Sequence, residues 1–163
     1  MKLTRYDAYI FILFLVALSF NLHFGKINLT QSLLFYSIGL AFELLLHKAF
    51  IYNKELEQSP LTLYKVDVNL TFALGWLSVA YLTMVVSGFF HNSFGWNLFF
   101  AAVAGGLLVG NILEQLFLEL KLWAYNDEHW LNKFGFKIFK IPVLVRMGYG
   151  VVGTLVYLIT KFL

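Results

Sequence analysis

Long apolar runs separated by short polar segments dominate the pattern of this chain. A helical run of about twenty apolar residues matches the hydrocarbon thickness of a bilayer. On this pattern we predict five membrane-spanning helices at residues 7–24, 32–51, 67–90, 95–120 and 142–162. These spans leave almost no room for a separate soluble domain. Residues 1–163 are therefore predicted to form a single transmembrane domain, an all-α integral membrane bundle of five helices.

Composition narrows the protein class further. Hydrophobic residues make up 60% of the chain and charged residues 13%, and the mean hydropathy is +0.75. A soluble domain of this length has too little interior to bury that much apolar surface. Cysteine is absent, which excludes disulfide scaffolds, thiolate metal sites and cysteine nucleophiles.

The distribution of Lys and Arg predicts the orientation, because short cytoplasmic loops retain positive charge. With the N-terminus in the cytoplasm, nine of these residues fall on the cytoplasmic side: Lys2, Arg5, Lys48, Lys54, Lys65, Lys121, Lys133, Lys137 and Lys140. Lys26 and Lys161 fall outside, and Arg146 lies within the fifth span. We therefore predict a multi-pass protein of the cell membrane with its N-terminus cytoplasmic and its C-terminus outside.

The connection 121–141 interleaves aromatic residues with lysines. One interpretation is an aromatic and basic belt at the lipid headgroups, and the other is a lid or lateral gate over a site. Nucleic-acid binding is not expected, since bulky apolar residues separate these lysines and would lie in lipid.

Small residues recur every fourth position in the fourth span, at Ala102, Gly106 and Gly110. This spacing lets another helix approach closely. The partner is predicted to be a helix of the same chain, with a homo-oligomer through these three residues as the alternative.

Ionisable residues inside the spans are the main functional signal, because each is costly in hydrocarbon unless it is paired or hydrated. With a rise of about 1.5 Å per residue, Glu114 and Arg146 are expected at similar depth in the cytoplasmic half, so they can form an ion pair. Arg146 would orient Glu114 or hold an anionic headgroup, and an ion pair that only holds the two helices together is the alternative. Glu43 lies near the middle of the second span, with His47 one turn closer to the cytoplasm. We predict a polar pocket in this half, with Glu43, Glu114 and Arg146 as catalytic candidates. The substrate-binding candidates are His47, Asn69, Asn111, Trp123 and Tyr125, and Asp67 is placed beside Asn69 at the start of the third span.

A metal held by Glu43, His47 and Glu114 is a weaker alternative, because the remaining histidines lie at the surface or in a loop. No metal site and no cofactor are therefore predicted.

The stretch from Glu114 to Pro142 also carries a family resemblance. A membrane glutamate is followed by Trp123, Ala124 and Tyr125, then by a connection containing Gly135, and Ile138–Pro142 opens the next helix. This stretch resembles small membrane carotenoid-biosynthesis proteins, in particular lycopene cyclases of the heterodimer type. The resemblance implies an isoprenoid substrate and acid chemistry. The chain departs from that family after Pro142, where Arg146 follows three apolar residues in place of a pair of glutamates.

Together these features predict a membrane protein that acts on, or binds, a lipid or isoprenoid-type apolar molecule through carboxylate acid/base chemistry. The substrate would enter from the lipid. One alternative is a proton- or cation-coupled transporter or channel subunit, and another is an accessory membrane subunit without chemistry of its own.

Overall fold

The computed structural model of the chain describes residues 3–24, 28–63, 68–133 and 135–163. These residues form the helices α1 (Arg5–Phe24), α2 (Leu29–Leu46), α3 (Lys54–Glu57), α4 (Thr71–Phe94), α5 (Leu98–Glu119), α6 (Trp130–Lys133) and α7 (Val143–Phe162). Helices α3 and α6 are single turns, and the other five are long and apolar enough to cross a membrane. The predicted bundle of five apolar helices is confirmed at this level.

Helix boundaries differ from the predicted spans by up to five residues, and two of these differences bear on the site. Helix α2 ends at Leu46 and a 3-10 turn, His47–Ala49, follows it, whereas the predicted second span ran to residue 51. Helix α4 begins at Thr71, four residues after the predicted start of the third span, and Asp67 lies outside the described residues. In both places the chain leaves the helical conformation to form short strands.

Within the described residues, six short strands lie in the connections: β1 (Phe50–Tyr52), β2 (Thr62–Leu63), β3 (Val68–Asn69), β4 (Trp123–Tyr125), β5 (Lys137–Ile138) and β6 (Ile141–Pro142). β1 pairs with β4, β2 with β3 and β5 with β6, all antiparallel. The helical pattern of the sequence predicts none of them. The β1–β4 pair, called the ribbon below, joins the connection after α2 to the connection after α5. The end of the bundle where it lies is called the ribbon end.

Helix α4 is the centre of the bundle. It packs against α1, α2 and α5, and more lightly against α7. In its apolar span 56% of the residues are buried, compared with 22% in α1 and in α2. A single central helix therefore holds the other elements in place, while α1 and α2 present much of their surface outward.

Helices α5 and α7 form a close contact through small residues. A Cβ atom added to Gly106 would lie 2.5 Å from the Tyr149 carbonyl oxygen and 2.7 Å from the Gly153 amide nitrogen. A Cβ on Gly110 would overlap the Tyr149 ring, and one on Gly153 would overlap the backbone at Ala102. The predicted stripe Ala102, Gly106 and Gly110 is thus occupied by α7 of the same chain. It cannot serve as the seam between two copies, and homo-oligomerisation stays a prediction with no assigned face.

This contact predicts that Gly106→Ala destabilises the protein, because the new methyl group would meet backbone atoms that cannot rotate away. We expect a loss of about 1–3 kcal/mol, the usual range for overpacking, seen as a lower midpoint of thermal unfolding in detergent. Gly88→Ala is the matched control, since a Cβ there meets nothing within 4 Å. Equal midpoints for the two variants would show that α5 and α7 are not in this close contact.

Candidate functional site

A cavity of about 250 Å³ lies toward the ribbon end, between α2, α4, α5 and α7. Its wall is almost entirely apolar and aromatic, and includes Phe42, Phe72 and Val152. Two carboxylates, Glu43 and Glu114, also line it, and their exposed fractions are only 8% and 2%. The two predicted acidic residues therefore share one buried site.

Glu43 is held by two hydrogen bonds, one to each of its oxygens. The Tyr52 hydroxyl donates to Oε2 at 2.7 Å, and the Trp76 indole N–H donates to Oε1 at 2.7 Å. Tyr52 lies on β1 and Trp76 on the central helix α4. A buried carboxylate needs such partners, because an unsatisfied charge in apolar surroundings is costly.

Glu114 is held by three donors. The Trp123 indole N–H donates to Oε1 at 3.0 Å, and the Tyr125 hydroxyl donates to the same oxygen. The Tyr149 hydroxyl, from α7, donates to Oε2 at 2.5 Å. The predicted binding residues Trp123 and Tyr125 thus lie at the site, where they hold Glu114.

The ribbon brings donors from the connections after α2 and α5 to both carboxylates. Tyr52 lies opposite Trp123 in the β1–β4 register, and Phe50 lies opposite Tyr125. Alternate residues of a strand point to one face, so these four aromatic side chains turn toward the bundle while Ile51 between them is 58% exposed. One short ribbon therefore supplies a donor to Glu43 and two donors to Glu114.

The donor side chains also pack against one another. The rings of Trp76 and Tyr149, which bond different carboxylates, lie 6.0 Å apart between centroids. The Phe72 ring lies between Tyr52, a donor to Glu43, and Trp123, a donor to Glu114. Its centroid is 5.0 Å from that of Tyr52 and 5.4 Å from that of Trp123. The surroundings of Glu43 and Glu114 thus form one continuous aromatic cluster, so a displacement at one carboxylate would disturb the other.

The tyrosines of the ribbon remain donors over the physiological pH range. Burial raises the pKa of the Tyr52 hydroxyl well above its usual value, and the adjacent Glu43 charge raises this pKa further. Burial likewise raises the pKa of Tyr125, and the Glu114 charge adds to this shift. Both side chains are therefore neutral phenols whose protons point at carboxylate oxygens.

The two carboxylates differ in how much bonding capacity they have left. A carboxylate offers about four lone-pair positions. Glu114 uses three of them on Trp123, Tyr125 and Tyr149, whereas Glu43 uses two. Glu43 is therefore freer to take up a proton or to meet a bound molecule, and Glu114 is the more firmly held group.

No Lys, Arg or His occurs among the described residues that line the cavity. The acidic groups are thus surrounded by ring faces and aliphatic side chains, without a cationic partner in the wall. Ring faces carry partial negative charge and stabilise a cation placed over them. The site is suited to an apolar molecule that becomes positively charged during a reaction.

Arg146 does not form the predicted pair with Glu114. Its Nε and Nη2 atoms donate to the Ile138 carbonyl oxygen at 3.1 and 2.7 Å, and Nη1 donates to Asn111 Oδ1 at 2.9 Å. It borders a separate groove on the other side of α5 and α7 and lines no part of the cavity. The two side chains leave their helices in different directions, Glu114 toward the cavity and Arg146 toward the groove.

Asn111 and His47 lie away from the cavity as well. Asn111 faces the same groove as Arg146 and donates to the Leu107 carbonyl oxygen at 2.7 Å. His47 has left helix α2, and its Nδ1 atom lies 2.8 Å from the Leu44 carbonyl oxygen. The expectation that Glu43 and His47 share a helix face fails because α2 ends between them.

Asn69 belongs to a second buried polar cluster, which joins the starts of α1 and α4. Its amide nitrogen donates to Asp7 Oδ1 at 3.2 Å, and its oxygen accepts from the Thr71 amide nitrogen at 2.8 Å. Asp7 is completely buried and also accepts from the Thr4 backbone and hydroxyl, while the Asp7 amide donates back to the Thr4 hydroxyl. This reciprocal pattern is a capping box. Asn69 thus has a structural role as a partner of Asp7. The spacing of Thr4 and Asp7 before an apolar run is the sequence signal for the capping box.

The sequence prediction missed three donors at the site: Tyr52, Trp76 and Tyr149. A signal for them exists, because a buried Trp or Tyr needs a partner for its polar atom and a buried carboxylate needs donors.

The connection 121–141 covers the ribbon end of the cavity through Trp123 and Leu131.

Comparison with known proteins gave no match, whether to a family model, a curated protein or a solved structure.

The arrangement predicts that Tyr149→Phe destabilises the protein, because Glu114, which is only 2% exposed, loses the donor to its Oε2 atom. We expect a loss of about 1–3 kcal/mol, typical for a buried group left without its partner, measured as thermal unfolding in detergent. Tyr9→Phe, on the exposed side of α1, is the matched control and should be neutral. A neutral Tyr149→Phe variant would contradict the hydrogen bond to Glu114.

Proposed function

We propose that this chain is a multi-pass protein of the cell membrane that acts on a lipid-soluble, isoprenoid-type molecule by carboxylate acid/base chemistry. The supporting observation is the presence of two buried carboxylates, Glu43 and Glu114, in the wall of one aromatic-lined cavity. Two acidic groups without a cationic partner are expensive to bury. Their retention at one cavity favours a chemical role over a structural one.

The proposed reaction is an isomerisation or cyclisation of an alkene. Protonated Glu43 gives its proton to one carbon of a double bond, whose electron pair forms the new C–H bond and leaves positive charge on the neighbouring carbon. The ring faces of Trp76 and Trp123 stabilise this cation. Glu114 then takes a proton from an adjacent carbon, and the C–H electrons restore a double bond. Return of a proton from Glu114 to Glu43 resets the site, so no oxidant or reductant is needed.

The family resemblance supports the same chemistry. Three residues carry the likeness to heterodimer-type lycopene cyclases, and two of them, Trp123 and Tyr125, donate hydrogen bonds to the third, Glu114. The glutamate pair that the family has after the proline is absent here. In the proposal Glu43, from a different helix, supplies the second carboxylate.

Orientation follows from the charge count and belongs to the proposal. With nine Lys and Arg residues on one side and two on the other, the ribbon end would face the cytoplasm. The cavity would then lie in the inner half of the bilayer, with the N-terminus cytoplasmic and the C-terminus outside.

We further propose that the substrate reaches the cavity from the lipid, between α2 and α7. Phe42 and Leu46 of α2 line one side of the cavity, and Leu144 and Val151 of α7 line the other. Helix α2 packs mainly on α4 and α7 mainly on α5, and toward the ribbon end the cavity lies between α2 and α7. Gly148 faces this space, and a Cβ added there meets nothing within 4 Å.

Glu43→Gln and Glu114→Gln test the chemistry. A glutamine keeps the shape but cannot transfer the proton, so we expect each variant to reduce product formation at least about 100-fold. The measurement compares the apolar lipid and pigment extracts of cells that express each variant. Glu119→Gln is the control, because this exposed residue lies on the same helix outside the cavity. An extract that is the same for all three variants and the wild type would count against the proposed chemistry.

Gly148→Phe tests access to the cavity. The ring would fill the space between α2 and α7 without meeting the backbone, so we expect labelling of the cavity by a diazirine derivative of hexadecanol to be largely lost. Labelled peptides are identified by mass spectrometry after photolysis in membranes. Gly88→Phe, where a Cβ also meets open space, should leave the labelling unchanged. Undiminished labelling of Gly148→Phe would rule out this route.

A further inference from the structure

Arg146 is the one predicted site residue with a charged side chain that the cavity does not use. It borders a groove of about 890 Å³ on the opposite side of α5 and α7, and this groove shares no lining residue with the cavity. Asn111, Gln115 and Phe139 line the same end of the groove, and Leu107, Leu108 and Ile112 line its apolar length.

The guanidinium of Arg146 is fixed in position but only partly satisfied. Of its five N–H groups, two donate to the Ile138 carbonyl oxygen and one donates to Asn111. Two N–H groups remain. Among the described residues no carboxylate oxygen lies within 4.0 Å of this cation. A charge set among apolar side chains at membrane depth calls for an anionic partner.

Gln115 supplies a second unfilled group beside Arg146. Its amide nitrogen donates to Glu119 at 3.0 Å, while its oxygen is buried and has no hydrogen-bond partner among the described residues. Gln115 follows Asn111 by one helical turn, so both side chains lie on one face of α5. Because this oxygen is enclosed by protein, the polar end of the groove is supplied by the two remaining N–H groups of Arg146.

The remainder of the groove fits a hydrocarbon chain. Leu108 and Ile112 are 46% and 58% exposed, and they continue toward Ala104. From Gln115 to Ala104 the helix rises about 16 Å, close to the thickness of one leaflet, which is about 15 Å of hydrocarbon. The polar end and the apolar length of the groove thus match the two parts of one lipid.

We propose that this groove binds an anionic phospholipid, such as a phosphatidylglycerol. The phosphate would accept from the two remaining N–H groups of Arg146, and an acyl chain would lie along Leu108 and Ile112. Glu119 lies one turn further along α5 and is exposed, so solvent screens its repulsion of the phosphate. The site does not depend on the proposed chemistry of the cavity.

The test uses the purified protein in detergent with dioleoylphosphatidylglycerol, dioleoylphosphatidylcholine or inorganic phosphate. Native mass spectrometry measures lipid retention, and thermal unfolding measures the accompanying stabilisation. We expect the wild type to prefer phosphatidylglycerol over phosphatidylcholine about fivefold, the usual effect of one basic residue on an anionic lipid. Arg146→Gln should abolish this preference. Lys161→Gln, at the other end of α7, should retain it.

Several outcomes would overturn the proposal. Equal retention of the two lipids by the wild type would do so, as would an undiminished preference in Arg146→Gln. Stabilisation by inorganic phosphate equal to that by phosphatidylglycerol would identify an anion site without a lipid. Should Arg146→Gln fail to fold, the wild-type comparison still decides. Asn111→Leu then provides the second variant. It removes the acceptor that holds the Arg146 guanidinium in the groove, so it should weaken the preference for phosphatidylglycerol over phosphatidylcholine.

Discussion

A carboxylate buried among apolar side chains must find hydrogen-bond donors inside the protein. This protein buries two such carboxylates, and much of its fold serves to bring donors to them. Glu43 and Glu114 come from helices that are not neighbours in the chain, and neither has a cationic partner in the cavity wall. Their five donors are all Tyr or Trp. Such residues satisfy an acid without adding charge and keep the remainder of the site apolar.

Supplying these donors imposes constraints far from the carboxylates. Tyr149 reaches Glu114 only because α7 lies close to α5, and that approach requires glycine at positions 106 and 110. The ribbon must pair in one register, since a shift of one residue would turn its aromatic side chains away from the bundle. The small-residue stripe and the ribbon thus serve the same site, although they are separate features in the sequence.

The five spans and the two carboxylates were predictable from the sequence, because long apolar runs and ionisable residues within them are local signals. The ribbon was not, since β1 and β4 are about seventy residues apart and each is only three residues long. The ion pair between Arg146 and Glu114 was inferred from depth alone. Two side chains pair only if they also point toward each other, and Ile138 and Asn111 hold Arg146 elsewhere. Similarly, Asn69 was predicted to bind substrate, whereas it bonds Asp7 through the contact between α1 and α4, which the sequence does not show.

The close contact of α5 and α7 also separates charges of opposite sign. Acidic groups occur on the cavity side of these helices, and Arg146 borders the groove on the other side. Were the two groups paired, Glu114 would be neutralised by a fixed cation and Arg146 would have no capacity for a further ligand. Their separation leaves one lone-pair position of Glu114 without a donor, and it leaves two N–H groups of Arg146 without an acceptor among the described residues. Both proposals therefore depend on the absence of this ion pair.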